Sequence, residues 1–378
     1  MNKDISLYIH IPFCIKRCSY CDFITHTDNS NELIEKYVDK ICKEIEYYKN
    51  YNLNIKTIFI GGGTPSVLKI DLLEKIFQSI HKNFKLSEVS EITIEINPIN
   101  LNRSNFKKYL NLGINRLSMG VQTFNDKVLK ELNRNHSVKD IYDTYYFAKE
   151  SGFNNFNLDL MFGLPNQTLD LWIDTLEKAL ELNSEHISLY CLDLHEDTPL
   201  FEYINQGIYS LPAEILTTKM FDYAKSYLKS KNYIHYEISN WSKENYQAKH
   251  NIVYWKNLNY IGIGVSAASF FNEKRYTNTK NLYEYINQEK FNLFEKTKKQ
   301  SIQEQIEETI FMNLRLLNEG LDIDLLNQRF NINFLDYYKE EIEYLKSRNL
   351  VIIRNNTIKI SDKNIFTSNE IFEKFLKN

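Results

Sequence analysis

Glycine and proline are scarce in this 378-residue chain, at eleven and six residues, and cysteine is scarcer still at five. Five is odd, and Cys42 and Cys191 stand far from the other three, which excludes a disulfide framework and leads us to expect a reduced, cytoplasmic protein. No apolar run approaches the roughly 20 residues of a membrane span. No basic stretch leads into a long apolar one near the start, so a signal peptide is not expected. A formal net charge of -3 without a basic tract argues against nucleic acid as a main partner. Repeats of fixed period and long flexible linkers are also lacking. What remains is a globular composition, 43% hydrophobic and 25% charged. The lean toward Asn, Lys, Ile and Tyr fits a nucleotide bias and receives no functional reading. The length suits one large α/β domain of up to about 250 residues plus a smaller one.

Short β-rich runs alternate with helical patterns through the first half. Strands are expected at 5–11, 56–60, 91–97, 115–122, 156–162 and 186–192, with helical periodicity at 33–48, 72–84 and 171–182. Such alternation implies right-handed βαβ units around a parallel sheet or barrel. Six strands fall short of the usual eight, so the expected fold is α/β, an open partial (β/α)6 TIM-type barrel over residues 1–230. Pro12, Pro65, Pro98, Pro165 and Pro199 all follow proposed strands, which places specialised loops at the C-terminal rim, where α/β barrels do chemistry. A connecting segment is expected over 231–297. Residues 298–378 read as a smaller α+β region, winged-helix-like, with a strand pair around the Asn-Asn turn of LVIIRNNTIKIS.

Three cysteines crowd one loop as C-x3-C-x2-C: Cys14, Cys18 and Cys21 in YIHIPFCIKRCSYCDF. Thiolates are soft ligands suited to zinc or an iron–sulfur cluster. Structural zinc favours four ligands in two pairs, and no second pair exists. A [4Fe–4S] cluster held by three cysteines keeps one iron open to an exchangeable ligand. After the second strand, FIGGGTPS carries Gly61, Gly62 and Gly63, whose backbone can approach a ligand closely. Glu95, Gln122 and Asp159 are polar residues on apolar strands, so each must face a ligand or find an internal partner. Cys42 and Cys191 lie in apolar patterns and read as inert core residues. His10 reads as a packing or hydrogen-bonding residue beside the cysteine loop.

The cysteine spacing on the loop after a first barrel strand resembles the radical S-adenosylmethionine (SAM) superfamily. The strings YIHIPFC, GGGTP, GINRLSMGVQ and LDLMFGLPNQT, with LRLLNEGLDIDLL near the end, are similar to the group that contains oxygen-independent coproporphyrinogen III dehydrogenase (HemN) and haem chaperones of the HemW type. The resemblance spans nearly the whole chain. It implies a [4Fe–4S] cluster on Cys14, Cys18 and Cys21, with SAM on the open iron. It further implies that Tyr8 and the backbone near Tyr20 border cluster and SAM, that Gly62, Gly63 and Thr64 hold SAM, and that Glu95, Gln122, Arg134 and Asp159 contact it.

Two features favour the chaperone side of that group. The dehydrogenase pattern has a fourth cysteine where this chain has Phe23, and a longer segment ahead of the motif. HNIVYW, residues 250–255, resembles the string associated with haem binding: His250 would supply an axial nitrogen to iron, and Tyr254 and Trp255 would flank the macrocycle. An aromatic cluster around a hydrogen-bonded His250 is the structural alternative. One departure is GIGVSAAS at 262–269, with Val265 and Ala268 where the group has Pro and His; this segment is expected near the cavity. The leading expectation is a chaperone that binds one haem per monomer and passes it to an acceptor protein, with a reductant for the cluster and a homodimer as a candidate assembly. The alternatives are oxidative decarboxylation of coproporphyrinogen III and radical chemistry on an unrelated substrate.

Overall fold

The computed structural model describes residues 4–86, 88–291 and 296–377. Six parallel strands run in chain order through the middle of the main sheet: β1 (Asp4–Ile11), β2 (Asn54–Gly62), β3 (Glu91–Ile96), β4 (Arg116–Gln122), β5 (Phe156–Phe162) and β6 (His186–Cys191). All but one of the residues after Asp4 in β1 are buried, as a strand covered on both faces requires. The crossovers are α1 (Asn31–Tyr47), α2 (Ile70–Asn83), α3 (Arg103–Asn111), the pair α4 (Asp126–Glu131) and α5 (Val138–Ser151), and α6 (Leu169–Glu181). Helix α2 shows why they pack: Leu72, Leu73, Ile76, Phe77 and Ile80 recur at three- and four-residue steps and are all buried. Each such side chain contributes about 1.5–3 kcal/mol when fully buried. Asn102 and Ser137 start α3 and α5 with capping boxes, closed by Asn105 and Asp140. A cap of this kind is worth about 1 kcal/mol.

The expected open barrel is present, because β1 and β6 do not meet. After α7 (Pro199–Asn205) and α8 (Glu214–Ser230), β7 (Ile234–Glu237) and β8 (Asn240–Ser242) extend the β6 edge in antiparallel fashion. Helix α9 (Lys249–Trp255) then leads to β9 (Tyr260–Ile263), which pairs with β1 in parallel and is followed by β10 (Ala268–Phe271), β11 (Lys274–Thr277) and α10 (Leu282–Asn287). Residues 231–297, expected as a connection, thus send strands to both edges of one eleven-stranded sheet. These strands are three or four residues long, too short to display a readable alternation.

Beyond them, the helix Ile302–Leu314 precedes a second, three-stranded sheet, β12 (Leu321–Asp322), β13 (Val351–Arg354) and β14 (Thr357–Ile360), in the order β12-β14-β13. Asn355 and Asn356 form the predicted turn between β13 and β14 with φ of 50° and 55°, the values a two-residue type I′ hairpin needs. Side chains of both sheets, such as Leu117 and Ile358, share one core.

The scarcity of glycine has a structural counterpart. Seventeen described non-glycine residues have positive φ, and thirteen of them are asparagine. Asparagine tolerates the left-handed region better than other side chains, so it ends helices and turns loops here in glycine's place. Gln122, at φ 67°, is one of the four exceptions.

Candidate functional site

The C-terminal ends of the barrel strands enclose a cavity of about 660 Å³, within the range of about 300–1,000 Å³ common for cofactor sites. The prolines mark its rim: Pro12, Pro65, Pro98 and Pro165 follow β1, β2, β3 and β5 closely, while Pro199 opens α7 instead. Every sequence-predicted site residue lines the cavity except His250.

At one end lie Cys14, Cys18 and Cys21. Their loop is fastened by backbone bonds from Cys14 N–H to the His26 carbonyl (2.9 Å) and from Ser19 N–H to the Leu132 carbonyl (3.1 Å). Arg17 donates from Nη2 to the Cys21 carbonyl at 2.9 Å. A second cation, Arg134, reaches a sulfur: Nη1 lies 3.3 Å from Cys18 Sγ, and Nη2 donates to Asn97 Oδ1 at 2.8 Å and to the Gly120 carbonyl at 2.7 Å. Asn97 donates in turn to Thr64 Oγ1 at 2.9 Å, and that hydroxyl is 3.5 Å from Cys14 Sγ. One chain of contacts therefore joins Cys18 to Cys14 through Arg134, Asn97 and Thr64.

Burial raises the Cys14 thiol and pushes Cys21 up to about 11, so thiolates here call for a bound cationic partner. Among the described residues, no three His, Cys, Asp or Glu side chains close on a single ion. Three cysteines around one cavity fit a polynuclear iron–sulfur cluster, whose ligands stand farther apart, better than a tetrahedral zinc ion.

The glycine turn lies beside the cluster loop. Gly62 has φ +116°, and a Cβ there would come within 2.6 Å of the His10 ring; a Cβ on Gly63 would meet the Phe13 carbonyl at 2.8 Å. The backbone N–H of Gly62 donates to Glu95 Oε2 at 2.9 Å. Burial, then the charge of Asp159, lifts Glu95 to about 8. Asp159, raised by burial as well, accepts from Asn157 Nδ2 at 2.8 Å and Ser118 Oγ at 3.0 Å. Gln122 reaches the cavity through its positive φ at a register shift between β4 and β5, a costly geometry typical of functional positions. Tyr8 bonds to His10 Nδ1 through its hydroxyl (2.9 Å), and burial lowers His10 to about 4; His10 is thus a neutral hydrogen-bonding residue, as expected. Tyr20 is half-buried beside Arg134 and Cys18.

Helix α9 supplies Tyr254 and Trp255 to the cavity wall. The Arg315 guanidinium stacks 4.4 Å from the Trp255 ring centre. His250 itself is not among the lining residues. It is wholly buried, its Nδ1 is 2.8 Å from Thr57 Oγ1 and its Nε2 is 2.8 Å from the Tyr254 hydroxyl. Burial depresses it to about 3, so the ring is neutral with both nitrogens engaged. The physical reason is the i, i+4 spacing: it puts His250 and Tyr254 on one helix face, and Tyr254 takes the cavity position.

Three further placements differ from or refine the expectations. The 262–269 segment lines no part of the cavity; Gly264 N–H donates to the buried Glu44 (2.9 Å), and Asn278 bridges Gly264 to Glu44 at 2.8 and 2.7 Å. Cys191 is exposed at the end of β6 and is not a core residue, whereas Cys42 is half-buried against the core. Phe23 lines the cavity with 62% of its surface exposed. Sequence reading missed Asn97, Arg116 and Asn157, which also line the cavity. Asn97 and Arg116 sit inside the strings INP and NRLSMG, so a polar residue beside an apolar strand end was the available signal.

This fold and cysteine loop define a radical SAM protein. The radical SAM superfamily profile matches residues 8–179, and that of the HemN C-terminal domain matches residues 301–366. The chain is 34% identical over 376 residues to the heme chaperone HemW of Lactococcus lactis, covering 100% of this chain and 98% of that one. It is 33% identical to the heme chaperone HemW of Bacillus subtilis, with 98% and 99% covered. The chain belongs to the HemW family. Among solved structures, coproporphyrinogen III oxidase (HemN) from Escherichia coli, a radical SAM enzyme, superposes with a TM-score of 0.84 at 24% identity, over 99% of this chain and 90% of that one; this likeness speaks for the fold alone. SAM and a [4Fe–4S] cluster follow from the superfamily. No helix among the described residues is long and apolar enough to cross a membrane.

Proposed function

We propose that the protein is a haem chaperone: it binds one haem per monomer beside a SAM-ligated [4Fe–4S] cluster and passes the haem to an acceptor protein. The observation that carries this reading is the composition of one cavity. It holds three cysteines at one end, the aromatic wall of Tyr254 and Trp255, and an exposed Phe23 where a decarboxylating relative would carry a fourth cysteine. The names of the HemW relatives support it.

When bound, the cluster supplies one-electron reducing power to SAM. The residues of this chain set the conditions around it. Cys14, Cys18 and Cys21 hold the iron, and Arg134 offsets thiolate charge. The Gly62–Gly63–Thr64 turn and Glu95 receive the polar end of SAM, with Gln122 and Asp159 along its length. Tyr254 and Trp255 offer apolar area to a flat macrocycle while keeping their own polar tips bonded or buried.

The test is anaerobic reconstitution of the cluster followed by titration with haem, recording the Soret band for wild type and Trp255→Ala. One equivalent bound by wild type, weakened in the variant, is the expected result. Failure to take up haem, with coproporphyrinogen III consumed and 5′-deoxyadenosine released, would instead establish an oxidative decarboxylase.

A further inference from the structure

Strand β4 shows which side chains stand inside the barrel. Arg116, Ser118, Gly120 and Gln122 line the cavity, while Leu117, Met119 and Val121, one residue out of step, lie in the core. Arg116 comes first in the strand and so sits deepest, at the floor. It is only 2% exposed, yet it lines the cavity. Its Nε has no hydrogen-bond partner, and among the described residues no ion pair or hydrogen bond engages the rest of its guanidinium. Other arginines packed into the fold are provided for. Arg134 makes three contacts, Arg275 donates to Asn257 Oδ1 at 2.6 Å, and Arg315 faces Glu237 at 3.9 Å. A guanidinium stays charged in a protein, and burying a charge is costly unless an opposite charge meets it.

The carboxyl groups on the same floor are already taken. Asp159 accepts from Ser118 and Asn157, and Glu95 accepts the Gly62 N–H. The charge of Arg116 reaches both, since it pulls each carboxyl down against the effect of burial, but neither forms an ion pair with it. Asn157 is fixed in turn: His186 Nδ1 lies 2.6 Å from its Oδ1, and Ser188 Oγ donates to the same oxygen at 3.1 Å. The floor therefore holds one unpaired cation inside a hydrogen-bonded polar ring. Its planar fork of N–H donors matches a carboxylate, which it can hold through two parallel bonds. SAM is not the source of that carboxylate. Gly120, whose carbonyl accepts from Arg134 beside Cys18, is four residues along β4 from Arg116, roughly 13 Å at about 3.3 Å per residue. SAM with its polar end at the glycine turn keeps its own carboxylate near the cysteines. The floor is left to a second molecule, and the wall of Tyr254 and Trp255 flanks the same cavity.

We propose that the barrel floor is a carboxylate subsite, in which the Arg116 guanidinium receives a propionate of the tetrapyrrole that lies against Tyr254 and Trp255. The inference rests on haem being the cargo, and it names the group by which the cavity tells a free-acid tetrapyrrole from an uncharged one. The step is non-covalent: a propionate carboxylate pairs with the guanidinium, and no bond is broken and no electron moves.

The experiment titrates the reconstituted full chain with ferric haem and with haem dimethyl ester, whose propionates are both capped, reading the Soret band. SAM binding is measured in parallel by equilibrium dialysis. Wild type should bind haem about 10–100-fold more tightly than the ester, the difference expected from hydrogen bonds to a charged group. Arg116→Met is similar in length and uncharged. It should bind haem only as tightly as the ester, bind the ester as wild type does, and leave SAM binding unchanged. Arg116→Lys keeps a point charge without the fork and should recover part of the difference. The urea midpoint of the cofactor-free chain should not fall in Arg116→Met, because the guanidinium has no partner there to lose. A lowered midpoint, with haem and ester weakened equally, would make Arg116 a structural cation paired with Asp159 and overturn the inference while haem remains the cargo. Equal affinity of wild type for haem and ester, or loss of SAM binding in Arg116→Met, would overturn it too. If wild type takes up neither tetrapyrrole, the haem reading itself falls, and the inference with it.

Discussion

The cysteine loop and helix α9 face the same cavity but spend their polar atoms differently. The loop brings three cysteines to the cavity, with the Arg134 guanidinium against Cys18 and the Thr64 hydroxyl against Cys14. Helix α9 turns its imidazole away, into a buried ladder that runs Tyr254–His250–Thr57–Ser6 with hydroxyl and ring contacts of 2.8, 2.8 and 2.6 Å. A loop frees neighbouring side chains to converge on a ligand. A helix stacks residues four apart, so that one shields the other. The cysteine end thus gathers soft donor atoms on a loop, and the α9 end is a hydrogen-bonded wall.

The sharpest way to break this contrast is to remove one sulfur. Cys18→Ser should reduce iron and acid-labile sulfide after reconstitution to background, whereas His250→Ala should leave both at the wild-type level; retention of the cluster in Cys18→Ser would void the ligand assignment. Next in size is Arg134→Ala. It deletes three hydrogen bonds from a partly buried cation and should cost about 3 kcal/mol, given that a bond to a charged group is worth about 1.5–3 kcal/mol. Urea midpoints measured beside iron content would reveal this, and a neutral outcome would show that the guanidinium does not organise the cluster end.

On the wall side, Thr57→Val keeps the shape of the side chain but strips the partner from His250 Nδ1. Leaving a buried polar atom unpaired costs about 1–3 kcal/mol, so thermal stability should fall while cluster content does not. Loss of the cluster in Thr57→Val would mean that the two regions are not separate. The last effect, read as a pH slope and not as a single loss, concerns Glu95 on the floor between them. Its carboxyl is lifted from 4.5 to about 8 in the folded protein, so between those values the folded state holds a proton that the unfolded chain has released. Its contribution is full below about pH 4.5 and is lost as pH rises toward 8, with a slope of at most about 1.4 kcal/mol per pH unit. Glu95→Gln should flatten that slope in denaturation curves of the cofactor-free chain; an unaltered slope would remove Glu95 as its source.

How much of this was legible in the sequence follows the same division. Residues 156–162 were read as a strand and are β5, because parallel interior strands are buried runs bounded by clear turn residues. The cysteines were legible because ligand type and spacing are written in eight consecutive positions. His250 was not, because the string HNIVYW names a helix segment and leaves open which member of an i, i+4 pair faces outward. The edge strands and Asn97 were missed for a related reason, since short elements and single polar residues acquire meaning only from neighbours brought together by the fold.

The most direct test of one cavity serving both cluster and cargo is iron-edge anomalous diffraction from crystals of the reconstituted, haem-loaded protein. The expected map has cluster density against Cys14, Cys18 and Cys21 and a separate haem-iron peak in the same cavity, beside Tyr254 and Trp255. A haem-iron peak outside that cavity would contradict it.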